Sequence, residues 1–347
     1  MALDKEMIAS ILQEYGFNHD IIDLTLIIDY VGHEADGQTP RIKTITRAIL
    51  ENNSVVIIKV VKEREHPTQV MEQQSRFSET LRQSKIPVPK RHLTANGHFC
   101  LEKSINGHTC SITVEECLPG TDLLVINEEY VQQLAIIMAR MHTVSEENNC
   151  HIELQTIWDF FDLNTDIMQG YRLYVSLYEQ YQACLPGIHW AKWKEIERIY
   201  LKKKDHLRTI WHQLPKYAVQ GDFSTNNVIV DAAGAILGLI DFNIAGDEVL
   251  VNDLITQGIF ICYIMDLDKG LKDDDRKLLF DLFVAKYLTK RYLSQLELSV
   301  MNEIYQIVFS FLWLRIEYLE DCLKQQNVEK TNQFLEETRE HLVRPYF

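Results

Sequence analysis

Asp222, Asn227 and Asp241 carry oxygen donors whose spacing suits chemistry on a charged ligand. The first two lie on Gln220-Gly221-Asp222-Phe223-Ser224-Thr225-Asn226-Asn227, which leads into the apolar run Val228-Ile229-Val230. After the turn Asp231-Ala232-Ala233-Gly234, a second run, Ala235–Phe242, carries Asp241 near its end. Two short apolar runs joined by a glycine-containing turn read as a hairpin, so two carboxylates and a carboxamide meet at its mouth. A small set of hard oxygen donors suits Mg²⁺, which fills most of its sphere with water and phosphate. The remaining carboxylate can stand where a substrate hydroxyl attacks. Taken singly, Asp222 and Asn227 also suit turn capping, because Asp and Asn close loops through their own side chains.

The surrounding elements fall into two kinds. Residues 4–16 have helical spacing, with Met7, Ile8, Ile11, Leu12 and Tyr15 on one side. Ile27–Val31, Arg41–Thr46 and Val55–Val61 are rich in β-branched residues, with turn residues at Gly32–Pro40 and Asn52-Asn53-Ser54 between them. This predicts an antiparallel meander. A helix over Pro67–Gln83 must end before Pro87 and Pro89. Two more strands are expected at His98–Lys103 and Ser111–Glu116, then a linker at Leu118-Pro119-Gly120. Beyond residue 127 the chain reads as helical, first over Tyr130–Val144, then as several helices from Trp158 to Leu214, and again from Asn252 to the end. The predicted fold class is α+β, with a small antiparallel-sheet lobe at 1–117 and a large helical lobe at 118–347 that holds the hairpin.

Composition sets bounds on partners. The chain has 347 residues, 35 Lys+Arg and 50 Asp+Glu, a formal net charge of -15, which argues against nucleic acid or an anionic membrane as partner. The seven cysteines include no C-x-x-C pair, so neither a disulfide framework nor a zinc site is expected, and reduced thiols in a cytoplasm fit best. No signal-peptide pattern opens the chain, and the longest apolar stretch, near Ile307–Leu314, is too short to span a bilayer.

In its motifs the chain resembles the aminoglycoside phosphotransferase-like kinases, which include choline and homoserine kinases and are distant relatives of protein kinases. Their catalytic loop H-G-D-x-x-x-x-N is matched by Gln220-Gly221-Asp222 with Asn227, and their I-D-F by Ile240-Asp241-Phe242. Asn252-Asp253-Leu254 is similar to the family's Y-D-L, and Glu116-Cys117-Leu118-Pro119-Gly120 to its E-x-x-P-G hinge. Met138-Ala139-Arg140-Met141-His142 is similar to L-A-x-L-H, and Ile86-Pro87-Val88-Pro89 to the segment after the first-lobe helix. The motifs stand in the family's order over about residues 40–260.

The resemblance implies a two-lobe, protein-kinase-like fold and transfer of the γ-phosphoryl group of ATP or GTP to a hydroxyl of a small molecule. It implies that Asp222 orients or deprotonates the acceptor and that Asn227 and Asp241 hold Mg²⁺. It implies that Lys59 contacts the α- and β-phosphates and that the backbone of Glu116, Cys117 and Leu118 meets the adenine. By itself, a strand lysine such as Lys59 also suits a solvated edge charge. Gln220 replaces the family's His, and no G-x-G-x-x-G is present, the nearest loop being His33-Glu34-Ala35-Asp36-Gly37. Lys59 needs an acidic partner on the first-lobe helix; Glu72 is favoured over Glu79, while the family's spacing lands on Gln74. Asp159, Asp162, Asp166, Asp266, Asp268, Glu317, Glu320 and Asp321 make the second lobe's expected acceptor segments acidic, which leans toward an amine-bearing acceptor resembling an aminoglycoside, an amino alcohol, choline or homoserine. The same charges also suit a plain solvated face. The rival readings are a catalytically impaired nucleotide-binding protein and a kinase acting on protein; Asp253 follows Asp241 by only twelve positions, too few for an activation segment.

Overall fold

The computed structural model describes residues 3–33, 39–63, 67–161 and 165–347, without the side chains of 166 and 167. The loop at Glu34–Gly37 and the acidic residue Asp162 therefore lie outside the described residues. The chain divides into two compact units, one of residues 1–125, 143–154 and 222–246, the other of residues 126–142, 155–221 and 247–347.

The first unit is built on a five-stranded antiparallel sheet in the order β1-β2-β3-β5-β4. The strands are β1 (Ile21–His33), β2 (Pro40–Leu50), β3 (Val55–Lys62), β4 (Cys100–Ile105) and β5 (His108–Glu116). β1 is longer than its β-branched run predicts, extends back to Ile21 and has register shifts after Ile21 and Leu26. Strand alternation gives the sheet two faces. Val56, Ile58, Val60, Ile112 and Val114 pack with Ile8, Ile11 and Leu12 of helix α1 (Lys5–Glu14) and with Tyr15 at its C-terminal cap into one core. The opposite face carries the intervening residues Lys59, Thr113 and Glu115, all buried. Helix α2 (Thr68–Gln83) begins directly after Pro67 and packs near β4 and β5.

Directly after the expected linker stands a strand that the sequence does not announce. β6 (Thr121–Asp122) pairs antiparallel with β8 (Val228–Val230), and β8 with β9 (Ile236–Leu239), so the hairpin becomes a three-stranded sheet. A two-residue strand is too short for any periodic signal. Gly120 is required at this junction, since a Cβ there would collide with the Val230 carbonyl.

The second unit is helical. It contains α4 (Asp166–Tyr181), α5 (Trp190–Ile210), α6 (Leu250–Ile259), α7 (Arg276–Leu288), α8 (Gln295–Ser310), α9 (Trp313–Lys324) and α10 (Val328–Val343), while α3 (Glu128–Glu147) begins in it. A two-stranded sheet of β7 (Lys216–Val219) and β10 (Gly246–Val249) is present where the sequence reading places no strands. All ten residues of α6 are buried, including Asn252, Asp253, Thr256 and Gln257, so its polar side chains need internal partners.

Candidate active site

Gly221 and the residues from Asp222 onward are each held by contacts within their own unit. In the second unit the Gly221 carbonyl accepts hydrogen bonds from Trp158 Nε1 at 2.6 Å and Gln257 Nε2 at 2.8 Å. Gly221 has φ +79°, a left-handed conformation that glycine adopts without strain. Asn252 Nδ2 donates to the Trp158 carbonyl at 3.0 Å, which steadies the indole. The His142 ring bridges Asp253 Oδ2 at 2.9 Å and the Tyr287 hydroxyl at 2.7 Å, all buried. Asp253 thus ties α6, the helix that presents Gln257, to His142. Glu248, also fully buried, accepts from Thr156 Oγ1 at 2.6 Å and from the Val249 amide at 2.8 Å. Burial, with the nearby Asp159 charge, pushes its carboxyl up to about 7.

In the first unit the loop closes on itself. Asp222 Oδ1 accepts from the Ser224 amide at 3.1 Å, and its Oδ2 accepts from Asn227 Nδ2 at 2.8 Å. The same Asn227 amide reaches the Asp222 carbonyl at 3.2 Å. Asn227 therefore fixes the carboxylate's orientation and, with its NH₂ so engaged, turns its carbonyl oxygen away from Asp222. The Ile240 amide donates to the Asn227 carbonyl at 2.9 Å, which places Asp241 beside the loop. Asp241 is left-handed (φ +55°), a conformation Asp and Asn tolerate better than most residues. Phe242 turns inward to meet Phe77 of α2 edge-on, with ring centroids 6.0 Å apart.

Lys59 and Asp241 are brought together. Lys59 Nζ lies 3.6 Å from Asp241 Oδ1, and Lys43 Nζ lies 3.9 Å from Oδ2. Burial alone would raise the Asp241 carboxyl, but the Lys59 and Lys43 ammonium groups outweigh it and hold the group below the usual carboxylate range. Lys43 is absent from the sequence reading, yet its signal is present: Lys43, Ile45 and Arg47 alternate with Ile42, Thr44 and Thr46 on β2.

The expected helix partner of Lys59 is corrected. Glu72 does not pair with it. Its Oε2 accepts from the Phe99 and Cys100 amides at 2.7 and 2.8 Å, and its Oε1 pairs with Arg76 at 2.6 Å, so it caps the start of β4. Glu79 pairs with Arg82. Gln74, turned about 200° from Glu72 at ~100° per residue, donates to the Asn243 and Ala245 carbonyls at 2.7 and 3.0 Å. It therefore holds the segment after Asp241 and leaves Lys59 to others. Besides Asp241, the carboxylate that pairs with Lys59 is Glu115 of β5, at 3.0 Å.

Of the hinge-like residues, Cys117, Leu118, Pro119 and Gly120 line a cavity of about 550 Å³ together with Arg47, Val55 and Val230. The Glu116 amide donates to the Lys90 carbonyl and the Cys117 amide to the Val55 carbonyl, both within about 3.0 Å, so these two N–H groups hold the segment in place. Two of the acidic residues expected around an acceptor are locally engaged: Asp159 accepts from the Phe161 amide, and Glu320 pairs with Lys324 one turn away.

The Asp241 carboxylate and the Asn227 side-chain oxygen are the groups of this site whose chemistry suits Mg²⁺, one charged and one neutral hard oxygen, and Lys59 and Lys43 beside Asp241 suit phosphate charge. No group of three or more His, Cys, Asp or Glu converges as a metal cluster among the described residues, and a phosphate-bridging Mg²⁺ does not need one. No described helix is long and apolar enough to cross a membrane.

Residues 47–273 match a family model, that of the phosphotransferase enzyme family (APH). Solved structures share the fold. An amicoumacin kinase, hAmiN, in complex with AMP-PNP, Ca²⁺ and Ami is 17% identical, with 99% of this chain and 95% of that chain covered and a TM-score of 0.58. A microcompartment-associated aminopropanol kinase is 14% identical over 96% and 97% of the two chains, with a TM-score of 0.56. The spectinomycin phosphotransferase APH(9)-Ia, in complex with ADP and its antibiotic, is 13% identical over 98% and 94%, with a TM-score of 0.53. A search of curated proteins finds no match.

Proposed function

We propose, from the premise that the chain belongs to the phosphotransferase enzyme family, a specific division of labour for this small-molecule kinase. The γ-phosphoryl group of ATP or GTP passes to a hydroxyl of a small, amine-bearing acceptor. Residues 1–117 bind the nucleotide, and residues 118–347 carry the catalytic loop and the acceptor site. The observation that carries the reading is the Asn227–Asp222 hydrogen bond at 2.8 Å beside an Asp241 flanked by Lys59 and Lys43.

In this reading Asp222 is the group that meets the acceptor hydroxyl. Its carboxylate is aimed by Asn227 and by the Ser224 amide, so it is oriented before substrate arrives. Mg²⁺, when bound by Asp241 and Asn227, supplies neutralising charge on the phosphate oxygens. Lys59 and Lys43 add positive charge on the same side, and the second lysine takes up part of the work a glycine-rich loop does elsewhere. Leu118, which follows the Glu116 and Cys117 amides that hold the hinge, offers its own amide to the base, and the adjoining cavity offers the space. The ordered geometry of Asp222, Asn227 and Asp241 supports an active enzyme over an impaired nucleotide binder. Gln220 stands where the family has His and is buried with 1% exposure, which suits a scaffold role that an amide can fill.

The amine-bearing character of the acceptor rests on the acidic segments named from the sequence. AMP-PNP and ADP in two of the fold relatives support the nucleotide. The test is ADP release by a coupled assay across hydroxylated amines and matched amine-free alcohols, with ATP and with GTP. Turnover of amines well above the alcohols supports the reading. Equal turnover removes the amine, and nucleotide binding with no hydrolysis under any condition removes the enzyme.

A further inference from the structure

Lys59 and Glu115 are on neighbouring antiparallel strands. Lys59 stands opposite Thr113 and Ile57 opposite Glu115, so the two charged residues are diagonal neighbours on one face, a separation that long side chains bridge. Glu115 Oε1 lies 3.0 Å from Lys59 Nζ, and Glu115 Oε2 lies 2.6 Å from Arg91 Nη1. Arg91 is bridged to Glu115 through the backbone as well, and its guanidinium stands 5.9 Å from the centre of the Phe242 ring. None of the three side chains is more than 5% exposed.

Buried charges persist only in company, and here one carboxylate is shared between two cations. The second anion near Lys59 is Asp241, at 3.6 Å. If Asp241 is committed to a metal ion and its phosphates, Glu115 is the fixed carboxylate that remains to Lys59. The two helix positions that the sequence offers for the task are committed elsewhere, Glu72 to the start of β4 and Gln74 to the Asn243 and Ala245 carbonyls.

We infer that Glu115, clamped by Arg91, is the positioning residue that aims Lys59 at the nucleotide phosphates, so that the lysine is anchored from within the sheet and not from helix α2. The inference rests on the nucleotide reading above. Its physical consequence is that the lysine's aim moves with the sheet, while α2 is tied through Gln74 to the segment after Asp241.

The experiment compares Mg·AMP-PNP binding and steady-state kinetics for the wild type, Lys59→Met, Glu115→Gln, Glu115→Asp, Glu72→Gln and the doubles with Lys59→Met, with melting of each ligand-free variant as the folding check. Glu115→Gln is expected to raise KM for ATP about tenfold without changing KM for the acceptor, and Glu115→Asp, which keeps the charge, to recover part of the loss. In the Lys59→Met background the Glu115→Gln effect is expected to shrink to less than about twofold, since both changes break one unit. If Glu115→Gln does not fold, Glu115→Asp alone and with Lys59→Met carries the same comparison. Wild-type KM for ATP in the Glu115 variants, an equal loss in both backgrounds, or coupling of Lys59 to Glu72 overturns the inference. A wild-type protein that binds no nucleotide overturns the underlying reading; nucleotide binding with silent Glu115 variants overturns this inference alone.

Discussion

Replacing Asp241 by Asn separates the metal role from the structural one. Asp241 sits at φ +55°, where Asn is tolerated and Ala is strained, so Asn keeps the backbone turn. The stability at stake is small. The carboxylate loses Lys59 at 3.6 Å and Lys43 at 3.9 Å, but its side chain is 29% exposed and Lys59 keeps Glu115 at 3.0 Å. For a partly solvated pair of this kind a loss of about 1 kcal/mol is expected, which lowers Tm by roughly 2–4 °C in a chain of this order of size. The ligand effect is much larger. Changing groups that merely support a metal ligand weakens affinity by about 10–100-fold, so removing the carboxylate itself belongs at or beyond the upper end. Calorimetric titration of AMP-PNP with Mg²⁺ and with chelator gives the metal-dependent part directly. The wild type should bind much more tightly with Mg²⁺, and Asp241→Asn should bind about equally in both conditions. Equal Mg²⁺ enhancement in the variant and the wild type refutes the assignment, whatever happens to its melting temperature.

Asp222→Asn should leave AMP-PNP affinity nearly unchanged and lower turnover by ~10²–10⁴; turnover within threefold of wild type removes Asp222 from the reaction. Lys43→Met should raise KM for ATP severalfold and leave KM for the acceptor alone, and an unchanged KM for ATP leaves Lys43 as a surface charge near Asp241. Glu248 gives a pH signature: its carboxyl is raised to about 7 by burial and by Asp159, from an ordinary value of 4.5. The folded state therefore holds an extra proton between those values, and the stability so contributed is complete below about pH 4.5 and lost as pH rises through 7. At 1.36 kcal/mol per unit the loss is on the order of 3 kcal/mol. Melting curves from pH 5 to 8 should show the wild type losing stability relative to Glu248→Gln, and parallel curves would remove Glu248 as the titrating group.

The sequence alone determined the parts of the site that are local. Asp222, Asn227 and Asp241 come together because a short hairpin brings neighbouring chain segments together, and a hairpin is legible in turn residues and apolar runs. Helices α1 and α2 were legible for a similar reason, since periodicity and the Pro67 and Pro87 boundaries act over a few residues. Strand alternation also marks a polar inner face on β5, where Ser111, Thr113 and Glu115 alternate with Ile112 and Val114. Only tertiary structure decided the partner of Lys59. That choice depends on the β3–β5 register and on the rotation of α2, which turns Glu72 to the start of β4 and Gln74 to the Asp241 segment. It also decided the strands β6, β7 and β10, too short to carry a period, and the buried partners of Asp253 and Gln257, contacts made between segments distant in the chain. Such pairings are set by the packing of whole elements against one another, and no local pattern of residue types records them.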